Sequence, residues 1–244
     1  MRNLKTASLS LVLFLIGVLS IFTTPAMAQE QGMTFYGIQL EQLEIRAGDE
    51  SESLAVWDGD AFFGTDEIKA RWISEGEYDT DADQFETLEN QLVGQVPIST
   101  FFDAKAGVRV DTPKGADRWY GVLGVTGLAP QWFEVDANVF LSEEGDASAR
   151  FEAEYELLLT NRLILTPSAE LDVAFSEDRE IGIGSGFSKG EIGLRLSYDI
   201  VDRLFSPYLG IVHEQKFGNT KNLAEEEGED TSSWFAVIGT KVVF

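Results

Sequence analysis

Trp132-Phe133-Glu134-Val135-Asp136-Ala137-Asn138-Val139-Phe140-Leu141 decides the fold. Taken in twos, Phe133, Val135, Ala137, Val139 and Leu141 fall on one face, while Glu134, Asp136 and Asn138 fall on the other. That alternation is the signature of a β-strand with one apolar and one polar side. Ala149 to Leu157 repeats it, with Phe151, Ala153, Tyr155 and Leu157 set against Arg150, Glu152, Glu154 and Glu156. Lys189 to Ile200 does the same, with Ile192, Leu194, Leu196, Tyr198 and Ile200 on the apolar side.

Working outward, about twelve such segments cover the chain at 34–46, 53–63, 66–75, 85–96, 101–111, 118–128, 131–141, 147–158, 162–176, 189–201, 207–218 and 232–244. Each is near the roughly 9–11 residues that a tilted strand needs to cross a bilayer. No helix-period segment competes after residue 28, and the Gly182-Ile183-Gly184-Ser185-Gly186 stretch is expected to be a flexible turn. The connectors separate into a longer set, at 47–52, 76–84, 112–117, 142–146, 177–188 and 219–231, and a shorter set that includes Gly64-Thr65 and Ala129-Pro130. Short periplasmic turns with longer outer loops characterise outer-membrane barrels. The closing Gly239-Thr240-Lys241-Val242-Val243-Phe244 is expected to be an assembly-recognition strand. Trp57, Trp72, Trp119, Trp132, Trp234 and Tyr208 stand near strand ends, where aromatic girdles meet headgroups.

The fold class expected is therefore all-β, an antiparallel transmembrane β-barrel of about 12 strands behind a cleaved signal peptide. A ten-strand barrel is the alternative if 34–63 folds as a periplasmic or plug element, because Glu52 to Trp72 alternates less cleanly. Arg2 and Lys5, the apolar Leu9 to Phe22 and the small residues of Ala26-Met27-Ala28 read as a signal peptide over 1–28. An uncleaved anchor is the alternative, but that apolar core is shorter than the roughly 20 residues of a spanning helix. Residues 29–33 are then a short periplasmic segment and 34–244 the barrel, placing the protein in the outer membrane beside lipopolysaccharide.

The 244-residue chain carries 18 Lys+Arg against 42 Asp+Glu, a net charge of -24, which excludes nucleic acid as a natural partner and favours cations. There is no cysteine and one histidine, so thiolate sites, disulfides and sites needing two imidazoles are excluded. No nucleophile and base can be paired, so the chain is not expected to be an enzyme. With the apolar faces on lipid, an acid-rich set lines the interior, including Glu134, Asp136, Arg150, Glu152, Glu154, Glu156, Glu170, Asp172, Glu191, Arg195 and Glu214. Carboxylates on neighbouring strands repel unless they bind a cation or pair with Arg and Lys. A salt-bridged polar core and a cation path are both open readings of that wall.

Weaker constellations follow. Asp79-Thr80-Asp81-Ala82-Asp83 resembles half a calcium loop but lacks the turn glycine, and reads as a solvated acidic loop. Glu225 to Asp230 is an acidic run for solvent or for ions bridging to lipopolysaccharide. His213 shares parity with Leu209 and Ile211, so it is expected on the outer face in a structural or interfacial role.

Two blocks carry a family resemblance: Gly127-Leu128-Ala129-Pro130-Gln131-Trp132-Phe133-Glu134-Val135-Asp136, and Ala149-Arg150-Phe151-Glu152-Ala153-Glu154-Tyr155-Glu156-Leu157-Leu158-Leu159-Thr160. With Ala106-Gly107-Val108-Arg109, Glu191-Ile192-Gly193-Leu194-Arg195 and Lys216-Phe217-Gly218, the chain resembles the copper resistance protein B family from about Phe35 to Phe244. The resemblance implies an outer-membrane barrel that binds copper ions and contributes to copper resistance or homeostasis alongside periplasmic copper-handling proteins. It directs attention to Glu134, Asp136, Glu152, Glu154 and Glu156 as metal ligands. Family members often carry a Met- and His-rich stretch ahead of the barrel, whereas here only Met33 follows Gln29. Carboxylates are harder ligands that discriminate poorly among divalent metals. A copper-linked barrel, a cation-selective pore without copper preference, and a structural or surface-interaction barrel are the three functions carried forward.

Overall fold

Side chains alternate across a strand, so a run that is apolar at every second position can satisfy lipid on one side and a polar interior on the other only if the sheet closes. This sheet closes. The computed structural model describes residues 33–48, 53–112, 116–201 and 203–244. The expected signal peptide, and all of the segment 29–33 except Met33, lie outside the described residues.

The strands are β1 (Phe35–Gly48), β2 (Ser53–Gly64), β3 (Lys69–Asp79), β4 (Gln84–Pro97), β5 (Phe102–Asp111), β6 (Arg118–Ala129) and β7 (Phe133–Ser142). They continue as β8 (Ala147–Glu154), β9 (Leu157–Leu158), β10 (Leu163–Ala174), β11 (Gly186–Tyr198), β12 (Phe205–Lys216) and β13 (Ser232–Val243). All pairings are antiparallel, and β13 returns to β1 with Gln39 opposite Val243 and Gly48 opposite Phe235. β8 and β9 are one stave, both pairing with β10, so the ring has twelve. Tyr155 donates its N–H to the carbonyl of Pro167, and proline has no N–H to return, so the ladder breaks there.

β1 and β2 are full staves, so the ten-strand alternative is not adopted. Within β1, Glu41 is an extra residue bulged against β2, where Leu40 pairs with Gly59 and Gln42 with Asp58. The bulge switches the parity, so Ile38 before it and Leu43 and Ile45 after it all face outward. Around the ring Leu92, Leu123, Val139, Phe151, Ile192, Leu209 and Ile238 stand exposed on the outer face. An apolar belt of that extent on a closed barrel is the surface that lipid covers.

Four expectations are corrected. Tyr208 is no girdle residue: it is buried in the interior and its hydroxyl donates to Glu44 Oε2 at 2.9 Å. The third strand runs on to Asp79, and the turns at 80–83 and 143–146 are as short as those at 65–68 and 98–101. Loop asymmetry therefore rests on 175–185 and 217–231. The second of these holds a helix, α1 (Gly218–Glu227), which the acidic run Glu225-Glu226-Glu227 completes before Gly228 caps it at φ 78°. Thr220 of α1 accepts from Gly184 N at 3.0 Å and donates to Gly184 O at 3.2 Å, so the glycine-rich segment is the helix's seat. A Cβ on Gly184 would collide with Asn219 and Thr220.

Elsewhere the readings agree with the geometry. Asp79 Oδ1 accepts from the N–H groups of Asp81 and Ala82 at 2.7 and 2.8 Å, so this aspartate builds the hairpin turn. His213 stacks on Trp234 with centroids 4.3 Å apart and bonds the Ser233 carbonyl. At the loop end, Arg118 at the start of β6 holds Asp178 at 2.9 Å and Glu180 at 2.7 Å, tying loop 175–185 to the wall. Partial burial alone would raise the Asp178 carboxyl; the Arg118 hydrogen bond and the Glu180 N–H outweigh it and hold it below the usual aspartate range.

Two outcomes follow. Tyr208→Phe leaves the buried Glu44 short of one donor and is expected to cost about 1.5–3 kcal/mol in urea unfolding followed by tryptophan fluorescence in detergent. Because the Asp178 pKa is lowered on folding, its contribution is present above the ordinary aspartate value of 3.8 and is lost as pH falls through the lower folded value. Pepsin should therefore leave loop 175–185 intact at pH 4.5 and cut it progressively at lower pH, whereas Arg118→Ala should be cut at both.

Candidate functional site

Strand parity sends the charged residues inward, and register decides which of them meet. Asp136 of β7 lies opposite Glu152 of β8, Glu152 opposite Glu170 of β10, Glu170 opposite Glu191 of β11, and Glu191 opposite Glu214 of β12. Five neighbouring staves thus place carboxylates directly side by side in one row. Below it Glu134 lies opposite Glu154. On the facing wall Asp58, Glu75, Glu89 and Asp111 make a second row across β2 to β5. Residues directly opposite in an antiparallel pair have Cβ atoms only about 4.5–5.5 Å apart, and like charges there destabilise the sheet. Cations must answer them.

Arginine supplies most of the answer. Arg150 of β8 reaches Asp172 at 2.9 Å, Glu170 at 3.4 Å and, across the lumen, Glu75 at 3.1 Å and Glu89 at 3.0 Å. Arg109 closes on Glu89 at 2.6 Å and Asp111 at 2.5 Å, with its guanidinium 4.5 Å from the Phe140 ring centre. Arg46 of β1 holds Glu44 at 2.8 Å, Glu191 at 2.9 Å and Glu214 at 2.6 Å. Arg195 adds a second guanidinium to Glu44 at 2.9 Å, and Lys189 holds Glu214 at 3.0 Å. The carboxylates of Glu77, Glu191 and Glu214 come within 4.8 Å of one another, a spacing that suits a metal ion, but Arg46 and Lys189 already stand among them.

The five residues expected as ligands separate into three groups. Glu134, Glu152 and Glu154 have no Lys or Arg within 4.0 Å among the described residues, and Asp58 on the far wall shares that state. Asp136 is held by Lys105 at 2.6 Å and receives an N–H from Asn138 at 2.6 Å. Glu156 sits in the β8–β9 break, bound to Arg203 at 2.9 Å, and belongs to the short-turn rim. Register sets Glu134 against Glu154 and Asp136 against Glu152, but among the described residues it is Glu77, Glu191 and Glu214, not these, that bring three carboxylates within 4.8 Å of one another. Missed from sequence were Asp58, Glu75 and Glu89, whose inward parity was readable but whose position across the lumen was not, and Glu77, which falls in the expected connector 76–84 but lies on β3.

The side-chain donors on this wall are oxygens, the class of ligand that hard and borderline divalent ions take. Three carboxylates have no Lys or Arg within 4.0 Å among the described residues, and Asn138, only 4% exposed, leaves Oδ1 without a hydrogen-bond partner over Gly124 of β6. Gln91 Oε1 and Gln95 Oε1 on β4 are unpartnered as well. Buried acceptors of this kind are costly unless a donor, water or cation meets them. Soft ligands are wanting: the sequence has no cysteine, and its one histidine stacks on Trp234 at the outer face.

Arg150 and Arg46 each gather four carboxylates within 4.0 Å. Arg150→Met is expected to cost about 3–5 kcal/mol because it strands buried acids without a partner. Melting in detergent, followed by the shift between folded and unfolded mobility on gels, reads the loss.

The chain was compared with known proteins. The family model for copper resistance protein B precursor (CopB) matches residues 34–244. A copper resistance protein B homolog of Pseudomonas syringae pv. tomato is 35% identical over 204 residues, covering 84% of this chain and 68% of that protein. Copper resistance protein B of Escherichia coli is 35% identical over 209 residues, covering 86% and 69%. Among solved structures, a NanC porin superposes with a TM-score of 0.51 at 10% identity, covering 85% of this chain and 99% of that one, a likeness of fold. With its closed outer-membrane barrel and a family match along the whole of it, this chain belongs to the copper resistance protein B family.

Proposed function

We propose that this barrel binds Cu(II) as its cargo on Glu134, Asp136, Glu152 and Glu154 and so contributes to copper resistance or homeostasis at the outer membrane. Periplasmic copper-handling proteins are then the donors or acceptors of the ion. The observation that supports the reading is two opposed carboxylate couples, Glu134 against Glu154 and Asp136 against Glu152, of which only Asp136 has a basic partner, Lys105, inside a barrel of this family. Oxygen donors without thiolate or thioether support the divalent over the monovalent ion. Membership of this family of outer-membrane barrels supports a non-enzymatic role.

Titration of the purified, folded barrel in detergent tests it, with Cu(I) and Cu(II) each competed against Zn(II) and Ca(II). Stoichiometric Cu(II) binding is expected, with Glu152→Gln and Glu154→Gln each weakening it by about tenfold or more, given that loss of even an outer partner of a metal ligand costs that much. Binding that calcium and zinc displace equally would overturn the copper reading. The unpaired acids would then favour a cation-selective lumen, read as conductance without metal preference.

A further inference from the structure

The carboxylate row is not level. Asp136 lies near the short-turn end of β7, which begins at Phe133, whereas Glu214 lies near the loop end of β12, which finishes at Lys216. Neighbouring strands are about 4.8 Å apart and tilt by about 40° in barrels of this kind, so a row across five of them climbs roughly 12 Å along the axis. The row is a ramp. Its lower steps Glu134, Glu154 and Glu152 have no Lys or Arg within 4.0 Å among the described residues, while Asp136 is held by Lys105 at 2.6 Å and Asn138 Oδ1 stands unpartnered above Gly124, where no Cβ intrudes. Its upper steps are filled by the chain's own cations: Arg150 at Glu170, Arg46 at Glu191 and Glu214, and Lys189 at Glu214.

Burial is deep at mid-wall, and Gln95, Lys105, Asn138 and Ser206 nearer the short turns are buried too. In the middle and upper wall the side chains of Glu44 and Arg46 are 0% and 3% exposed, and inward-facing Leu54, Val56, Val212, Phe235 and Val237 pack into one apolar cluster. Side chains lining a water-wide pore would not be sealed so. Arg150 to Glu75 and Lys189 to Glu77, at 3.1 and 3.9 Å, join staves that are not neighbours in the ring and so cross the lumen. At the short-turn mouth, by contrast, Glu134 is exposed and Arg203 is 55% exposed.

We infer that the ramp is a one-sided cup: a divalent cation enters from the short-turn end, occupies the lower carboxylates, and is stopped by the tethered cations Arg46, Arg150 and Lys189 on the steps above. The inference rests on the proposed cation-binding reading and adds its direction and its barrier. Short turns face the periplasm in outer-membrane barrels, so the ion is taken from that side. The bridges bar a through-path, and the barrel presents its ion on one side of the membrane.

The cysteine-free sequence permits a direct test. Ser168 lies opposite Glu154 on the lower steps and Ser233 opposite Glu214 on the upper. The double variant Ser168→Cys/Ser233→Cys, which keeps every ion pair, is reconstituted in vesicles in both orientations. A membrane-impermeant trimethylammonium methanethiosulfonate is then added outside only. One label per molecule is expected, at position 168 in one orientation and at 233 in the other, rising to two when detergent opens both sides. Two labels in intact vesicles would mean a through-path and overturn the inference; no label at 168 in either orientation would overturn it equally. Adding Arg150→Gln and Arg46→Gln is expected to bring intact vesicles to two labels, and a folded variant still limited to one would refute the barrier's assignment. Cu(II) enters in a separate arm: if it fails to slow labelling at 168, the copper reading falls while the label count still decides sidedness.

Discussion

Everything in this barrel depends on the hydrogen-bonded seam between β13 and β1. A backbone N–H or C=O left bare in hydrocarbon costs several kcal/mol, so a twelve-stave sheet that failed to meet itself there would carry a whole unsatisfied edge into lipid. The seam runs from Gln39 opposite Val243 to Gly48 opposite Phe235, across the bulge at Glu41. Once it forms, every strand has one face on lipid and one in a confined interior. Inside and outside are then settled for each residue by parity alone.

Confinement creates the electrostatic problem that the interior solves. A chain with 42 acids and 18 bases must put many of its carboxylates on the only face that lipid does not touch. Register sets them side by side, and the few guanidinium groups that share the space each serve several acids. Replacing such buried pairs with apolar groups can be neutral or stabilising, so they are weak evidence of stability as such. Their arrangement is informative nonetheless: the cations gather at Glu44, Glu191, Glu214 and around Arg150, and leave Glu134, Glu152, Glu154 and Asp58 unanswered.

The loop end is ordered by the same economy of cations. One guanidinium, Arg118, gathers Asp178 and Glu180, and α1 rests on Gly184 through Thr220. Neither residue stands in a motif. The glycine-rich segment reads as slack chain until the helix that needs its missing Cβ is in view.

The period-two pattern by itself determined the class of fold, the number of staves to within a hairpin, and the face of nearly every strand residue, because alternation is a local property of extended backbone. Its failures were local exceptions: the bulge at Glu41 inverted the parity of β1 and Pro167 broke β8 from β9, whereas Tyr208 lies inward by the alternation itself, on the parity of Ser206 and Val212. The acidic residues of the site were legible as inward-facing, and the family was legible in the motifs around Trp132 and Glu152. Only the tertiary structure decided that Asp136, Glu152, Glu170, Glu191 and Glu214 form one row, that Glu75 and Glu77 meet it across the lumen, and which carboxylates go unpaired. The reason is physical. Those relations are set by strand register, tilt and closure, which depend on how distant staves are joined, and no window of sequence holds both partners.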